Sequence, residues 1–161
     1  MLCIRDIGAA AAQALCQRYE LELEYLADDA DIAGSFWGAP EAGILGRKVL
    51  VRPDTPVHSF LHETSHIICM DPQIRDEHEG NAQSDDLEEA AVCYLQVLLA
   101  DTLTEVGSVA LMRDMDEWGY SFRLGSTARW FTKDAEDAQA WLCRHGILSR
   151  EGLLTGELRS A

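Results

Sequence analysis

The chain has 161 residues, of which 47% are hydrophobic, and its 28 acidic against 13 basic side chains give a formal net charge of -15. A chain of this length can bury one sizeable core, so we expect a single domain over residues 1–161. The negative charge repels phosphate backbones and anionic lipid surfaces, so nucleic acid is not an expected partner.

The cysteines and the apolar segments indicate a compartment. The five cysteines are an odd number and are scattered without a C-x-x-C pair, which predicts neither a disulfide framework nor a structural zinc site and favours a reducing environment. Polar side chains interrupt the first twenty residues, so they lack the apolar core of a signal peptide. The sequence has no run of about 18 apolar residues, so it predicts no membrane span. We therefore expect a soluble cytoplasmic protein without a membrane partner.

The N-terminal half predicts one helix followed by short strands. A capped helix is expected from about residue 7 to residue 19, where apolar side chains recur at helical intervals. Residues 20–26 (ELELEYL) alternate between acidic and apolar side chains, which is typical of a half-exposed strand. Between residues 32 and 52, glycines separate short apolar runs. We expect two or three short antiparallel strands there, with a turn at Gly46-Arg47.

The next element is a helix with clear start and stop signals. Asp54-Thr55-Pro56 is a good helix start, with Asp54 or Thr55 as the cap and the proline in the first turn, where its missing N–H costs nothing. The helix should end near Asp71, because Pro72 disfavours helical geometry in the residue before it.

Only helices are predicted beyond this point. An acidic connection precedes a long helix over about residues 87–103, and a further helix should end at Gly119. The last helix, over about residues 133–145, is closed by Gly146, which can adopt left-handed geometry. The order of an N-terminal helix, short strands and then helices predicts an α+β fold with a small antiparallel sheet.

The helix that starts at Asp54-Thr55-Pro56 carries a motif with a chemical meaning. His62, Glu63 and His66 form an H-E-x-x-H sequence. Histidines four residues apart on a helix can bind one Zn²⁺, and the intervening glutamate can take a proton from water at the open position of the metal. The alternative is a pair of surface histidines beside an ordinary glutamate. His58 extends the series, but it lies about 12 Å from His66 along a straight helix, so these two cannot share one ion.

A third ligand is expected from the long helix that begins near residue 87, where Glu88 and Glu89 are adjacent. At 3.6 residues per turn, Glu88 lies at the margin of the apolar face and Glu89 lies nearly opposite, beside Gln96. We therefore predict that Glu88 is the ligand. The alternative for both residues is a first-turn acid that complements the helix dipole, with Asp85 and Glu88 as a capping pair.

These two motifs resemble those of the gluzincin metallopeptidases, and most of all those of the ImmA/IrrE group of small zinc peptidases. In that group an N-terminal helix and a few strands precede the H-E-x-x-H helix, and the third ligand begins an E-x-x-A-N-x-F-A-x-x-L-L stretch. Here EEAAVCYLQVLL matches from Glu88, but it departs at Val92 and in Ala100-Asp101, where the group has Asn and Met-Pro. The resemblance covers about residues 7–100 and implies a minimal zincin-like fold with Glu88 as a ligand.

The sequence thus predicts a zinc-dependent peptidase, a hydrolase that acts on a protein or peptide substrate. Zn²⁺ would be bound by His62, His66 and Glu88, with Glu63 as the general base. The alternative is a catalytically silent regulatory or interaction module that keeps the fold and binds zinc. The substrate and the oligomeric state stay open.

Two further features of the site are less well defined by the sequence. Phe36 and Trp37 would border a substrate groove if their strand were the exposed edge that holds a peptide. Peptide hydrolysis also needs a donor for the developing oxyanion. Four side chains are chemically able to supply it, and nothing in the sequence places any of them near the motif: His78, Tyr120, Arg123 and His145.

Overall fold

The structure is a computed structural model that describes residues 1–33 and 39–160, and its fold is α+β. Phe36 and Trp37 lie outside the described residues. In chain order the main elements are α1 (Ile4–Ile7), α2 (Ala9–Arg18), β1 (Glu22–Tyr25), β2 (Gly43–Leu45), β3 (Lys48–Val51), α3 (Val57–Cys69), α4 (Pro72–Arg75), α5 (Asp86–Ala100), α6 (Ser108–Trp118), α7 (Thr127–Lys133) and α8 (Glu136–Arg144).

The three strands form one small sheet in the order β1-β3-β2. The predicted turn at Gly46-Arg47 joins β2 to β3 as an antiparallel hairpin, with Ile44 opposite Val49. The expectation of an antiparallel sheet is wrong for β1, which pairs with β3 in parallel, with Leu23 beside Val49. The 22-residue connection between β1 and β3 (residues 26–47) is long enough to bring the chain back in the same direction.

Helix α3, which carries the H-E-x-x-H motif, lies at the centre of the fold and is buried along almost its whole length. The predicted caps are wrong, because α3 begins after Pro56 without a side-chain cap. Asp54 instead pairs with Arg52 at 2.6 Å, and the Thr55 hydroxyl accepts from the Arg52 amide at 2.8 Å. These two residues therefore shape the turn that leads from β3 into α3.

Two arginine side chains, one buried and one partly buried, satisfy carbonyl groups at the C-terminal end of α3. Arg75, on α4, is 4% exposed and donates to the carbonyls of Ile67 at 3.0 Å and Met70 at 2.8 Å. Arg159, near the C-terminus, donates to the Cys69 carbonyl at 3.2 Å. Cations at this end also complement the helix dipole, so the last turn of α3 is held firmly in place.

The C-terminal half wraps around α5, which packs between α3 and α8. Helix α6 ends as predicted at Gly119, whose φ of 117° is left-handed. The predicted last helix corresponds to α8, which begins at Glu136. A separate short helix that the sequence analysis does not predict, α7, precedes it and ends at Lys133. Gly146, with a φ of 75°, follows α8 as expected. Within the described residues, no helix is long and apolar enough to cross a membrane.

His58, in the first turn of α3, has a titratable side chain, and the residue is only 2% exposed. Its Nδ1 lies 3.2 Å from the Tyr120 hydroxyl, and its ring contacts that of Trp118, with 4.8 Å between the centroids. Burial lowers the pKa of His58 to about 4; Asp114 opposes this shift and His62 adds to it. The ring is therefore neutral in the folded protein at pH 7.

Acidification should weaken the fold through this residue, because the unfolded chain takes up a proton at His58 near pH 6.5 and the folded chain does so only near pH 4. The stabilisation is complete above about pH 6.5 and is lost as the pH falls towards 4, by about 3 kcal/mol at most. Denaturant titrations between pH 7 and 4 in the presence of a chelator should show a shallower decline for His58→Phe. Parallel curves for the two proteins would contradict this account.

Candidate metal site

Three side chains from two helices converge beside α3. His62 and His66 are one turn apart, with ring centroids separated by 4.7 Å and ring planes at 86°. Each Nε2 faces the carboxylate of Glu89 on α5, at 3.0 Å from His62 and 3.3 Å from His66. One ligand atom from each of the three residues lies within 4.8 Å of the other two. Two nitrogens and a carboxylate oxygen therefore point at a common centre.

The spacing of these atoms suits a zinc ion. Zn²⁺ bound tetrahedrally at about 2.0–2.1 Å places its ligand atoms about 3.4 Å from one another. The two distances from Glu89 to the histidines, 3.0 and 3.3 Å, are close to that value. Imidazole nitrogens and carboxylate oxygens are also ligands that zinc accepts, and three protein ligands leave a position for water or substrate. The residues present thus fit the metal that the motif predicts.

The charges at the site are strongly coupled. Hydrogen bonds from His62 and His66 hold the pKa of the Glu89 carboxyl well below its usual range. Burial alone would lower the pKa of His62, but hydrogen bonds with Cys93 and Glu89 outweigh it and raise this pKa well above its usual value. The carboxylate of Glu89 is therefore ionised at neutral pH, as a metal ligand must be.

Glu88, the residue that the sequence analysis predicted as the third ligand, is not brought to the histidines. Its side chain points to the C-terminal segment, where Oε1 pairs with Nη1 of Arg159 at 3.2 Å. The guanidinium of Arg159 also lies over the Trp141 ring, 5.2 Å from its centroid. Because Glu89 occupies the place expected for Glu88, the third-ligand assignment moves by one residue.

The periodicity argument failed because α5 is packed on more than one side. Glu89 shares a helix face with Gln96, two turns further on, as the sequence predicts, but this face contacts α3 instead of solvent: Gln96 is fully buried. On the face predicted to be the inner one, Leu87 is 38% exposed. Polar side chains at a functional site can be buried, whereas a hydrophobic pattern assigns every polar position to the exposed face.

Glu63 lies on α3 immediately after His62, and its side chain is partly buried. Burial raises the pKa of its carboxyl group; the two histidines lower it, and the carboxylates of Glu89 and Glu41 raise it further. Glu63 does not belong to the converging group of metal-binding atoms found among the described residues. It is therefore available for a role other than metal binding.

A buried amide, Gln96 on α5, contacts His62 on the side away from Glu89. Its Oε1 lies 2.7 Å from Nδ1 of His62, and its Nε2 donates to the backbone carbonyl of His58 at 3.1 Å. The sequence analysis placed Gln96 beside Glu89 but gave it no role. A polar residue two turns after a candidate ligand on the same helix face was the signal that could have identified it.

The four possible oxyanion donors differ in where they lie. Tyr120 is beside the motif, with its ring centroid 5.9 Å from that of His62 and its hydroxyl at His58. The other three side chains have partners elsewhere: Arg123 pairs with Asp134, His78 bonds the carbonyl of Gly46, and His145 contacts Trp141. The structure thus brings one of the four to the helix of the H-E-x-x-H motif.

Comparisons with known proteins add nothing to this geometry: no family model, no curated protein and no solved structure matches the chain. The resemblance of the two motifs to the gluzincin group therefore stays a sequence-based prediction. The ligand set is argued from the contacts and distances of the described residues.

Zinc binding should distinguish the two adjacent glutamates. Glu89→Gln replaces the carboxylate that faces both histidines, so the affinity for zinc should fall by at least about 100-fold. Glu88→Gln is the matched control, because its amide oxygen can still accept from Arg159, and its affinity should stay close to that of the unmodified protein. Competition with a chromophoric chelator measures both values. A large loss in Glu88→Gln with little change in Glu89→Gln would restore the original assignment.

Proposed function

We propose that the protein is a zinc-dependent peptidase in which His62, His66 and Glu89 hold the metal. The observation that carries the proposal is the convergence of two Nε2 atoms and one carboxylate, within 4.8 Å of one another. The glutamate of the H-E-x-x-H motif, Glu63, lies between the two histidines in the sequence of α3 and outside the converging group of atoms found among the described residues. This combination of three ligands and a separate carboxylate is the set that metal-assisted hydrolysis of an amide requires.

The bound zinc would act as a Lewis acid that polarises the scissile carbonyl and makes water easier to deprotonate. Glu63 is the general base: its carboxylate accepts a proton from the attacking water and then donates it to the nitrogen of the leaving amine. The partly buried position of Glu63 keeps its carboxylate from being fully solvated. His62 and His66 hold the reacting groups next to this carboxylate, because all three side chains project from adjacent turns of α3.

Two other features support this assignment. The order of elements, with an N-terminal helix and short strands before the motif helix, is that of the ImmA/IrrE group, which the sequence resembles. The site is open to solvent on the side of Glu89. The Glu89 side chain is 44% exposed, whereas the His66 side chain is 9% exposed. A substrate can therefore reach the metal from the side of the third ligand.

The role of Glu63 is tested by Glu63→Gln, which preserves the size of the side chain but cannot accept the proton. Zinc content should stay near one ion per chain while peptide hydrolysis falls by about 100- to 10,000-fold. Unfolded casein and a library of fluorogenic peptides are suitable substrates, and zinc content is measured by elemental analysis of the same preparations.

The control is Glu105→Gln, which makes the same chemical change in the exposed turn after α5 and should leave the rate unchanged. Hydrolysis that survives in Glu63→Gln, or in protein stripped of metal, would contradict the proposal. If the unmodified protein binds one zinc and cleaves none of these substrates, the alternative of a catalytically silent zinc-binding module replaces the peptidase.

A further inference from the structure

We propose that Gln96 is a positioning residue that fixes the tautomer and the orientation of His62, so that its Nε2 is held ready to bind the metal. This inference rests on the proposed zinc site and deepens it. Gln96 does not touch the reacting atoms. It acts through His62, from a fully buried position on α5, and neither the H-E-x-x-H motif nor the resemblance assigns it a function.

The orientation of the Gln96 amide is fixed by the backbone of α3. Its Nε2 lies 3.1 Å from the carbonyl oxygen of His58. A carbonyl oxygen can only accept, so the NH₂ end of the amide must face it. The other end, Oε1, is thereby directed at Nδ1 of His62, 2.7 Å away. The reversed amide would place two acceptors against each other at His58.

The orientation of the amide decides which ring nitrogen of His62 carries hydrogen. Because Oε1 of Gln96 can only accept, Nδ1 of His62 must donate and therefore carries the proton in the neutral ring. Without a metal, Nε2 donates to the Glu89 carboxylate at 3.0 Å. A metal bound at this position would take the place of that proton, because the proton on Nδ1 is held by Gln96. The two hydrogen bonds of Gln96, to the His58 carbonyl and to Nδ1 of His62, thus leave Nε2 of His62 as the atom that can bind a metal.

Helix α5 supplies both the proposed third ligand, Glu89, and the positioning residue, Gln96. Glu89 and Gln96 are seven residues apart on α5, two turns along one face. The packing of α5 on α3 therefore places the Glu89 carboxylate on one side of the His62 ring and the Gln96 amide on the other. Since the acceptor is a neutral amide, it orients the imidazole without adding a negative charge behind the metal, which keeps the metal more electrophilic than a carboxylate partner would.

The inference is tested by Gln96→Met, which has a similar volume but cannot accept from Nδ1. We expect the dissociation constant for zinc to rise by about 10- to 100-fold. Gln96→Glu keeps an acceptor for Nδ1 but loses the donor to the His58 carbonyl, so it should recover only part of this loss. Thr64→Val is the matched control, because Thr64 is buried on the same helix as His62 and its hydroxyl has no hydrogen-bond partner in the described part of the chain; its affinity should not change.

A second measurement does not depend on how well the variants fold. Long-range ¹H–¹⁵N spectra of zinc-loaded, unmodified protein should show hydrogen on Nδ1 of His62 and metal on Nε2. Metal on Nδ1 would overturn the inference, as would a Gln96→Met protein that binds zinc as tightly as the unmodified protein. In both cases the zinc site itself survives. If the unmodified protein binds no zinc, the proposed function and this inference both fail.

Discussion

The contact between α3 and α5 is the interaction on which the site depends. Helix α3 supplies the two histidines and the glutamate of the motif, whereas α5 supplies the Glu89 carboxylate and the Gln96 amide. A small rotation of α5 about its axis would move both side chains away from the rings at once. Apolar side chains of the two helices, such as Phe60, Leu61 and Leu95, are fully buried in the same core. The geometry of the site is therefore a consequence of core packing.

The C-terminal segment explains why the rotation of α5 is well defined. Arg159 donates to the last turn of α3 and to Glu88 on α5, and it covers the ring of Trp141 on α8. The pair between Arg159 and Glu88 is partly buried, with 18% and 12% of the two side chains exposed. The two adjacent glutamates therefore project from α5 in different directions, Glu88 towards Arg159 and Glu89 towards the histidines.

Local signals in the sequence predict most of the elements, and long-range contacts account for the errors in strand pairing and in the third ligand. The H-E-x-x-H spacing, the hairpin at Gly46-Arg47 and the helix end at Gly119 depend on neighbouring residues, and the structure has all three features. The parallel pairing of β1 and the choice of Glu89 over Glu88 depend on how distant segments meet. Arg159 is 71 residues from Glu88 in the sequence, and no pattern within either segment predicts that the two side chains pair. Propensity and periodicity predict single helices and strands, whereas a metal site needs side chains from several elements to meet.

The central claim is that one zinc ion binds at Nε2 of His62, Nε2 of His66 and the carboxylate of Glu89. A crystal structure of the zinc-loaded protein, with anomalous diffraction measured at the zinc absorption edge, tests it most directly. The account predicts a single anomalous peak about 2.0–2.2 Å from these three atoms, with Glu88 still on Arg159. A peak bound by Glu88 in place of Glu89, or a zinc ion located away from both histidines, would contradict it.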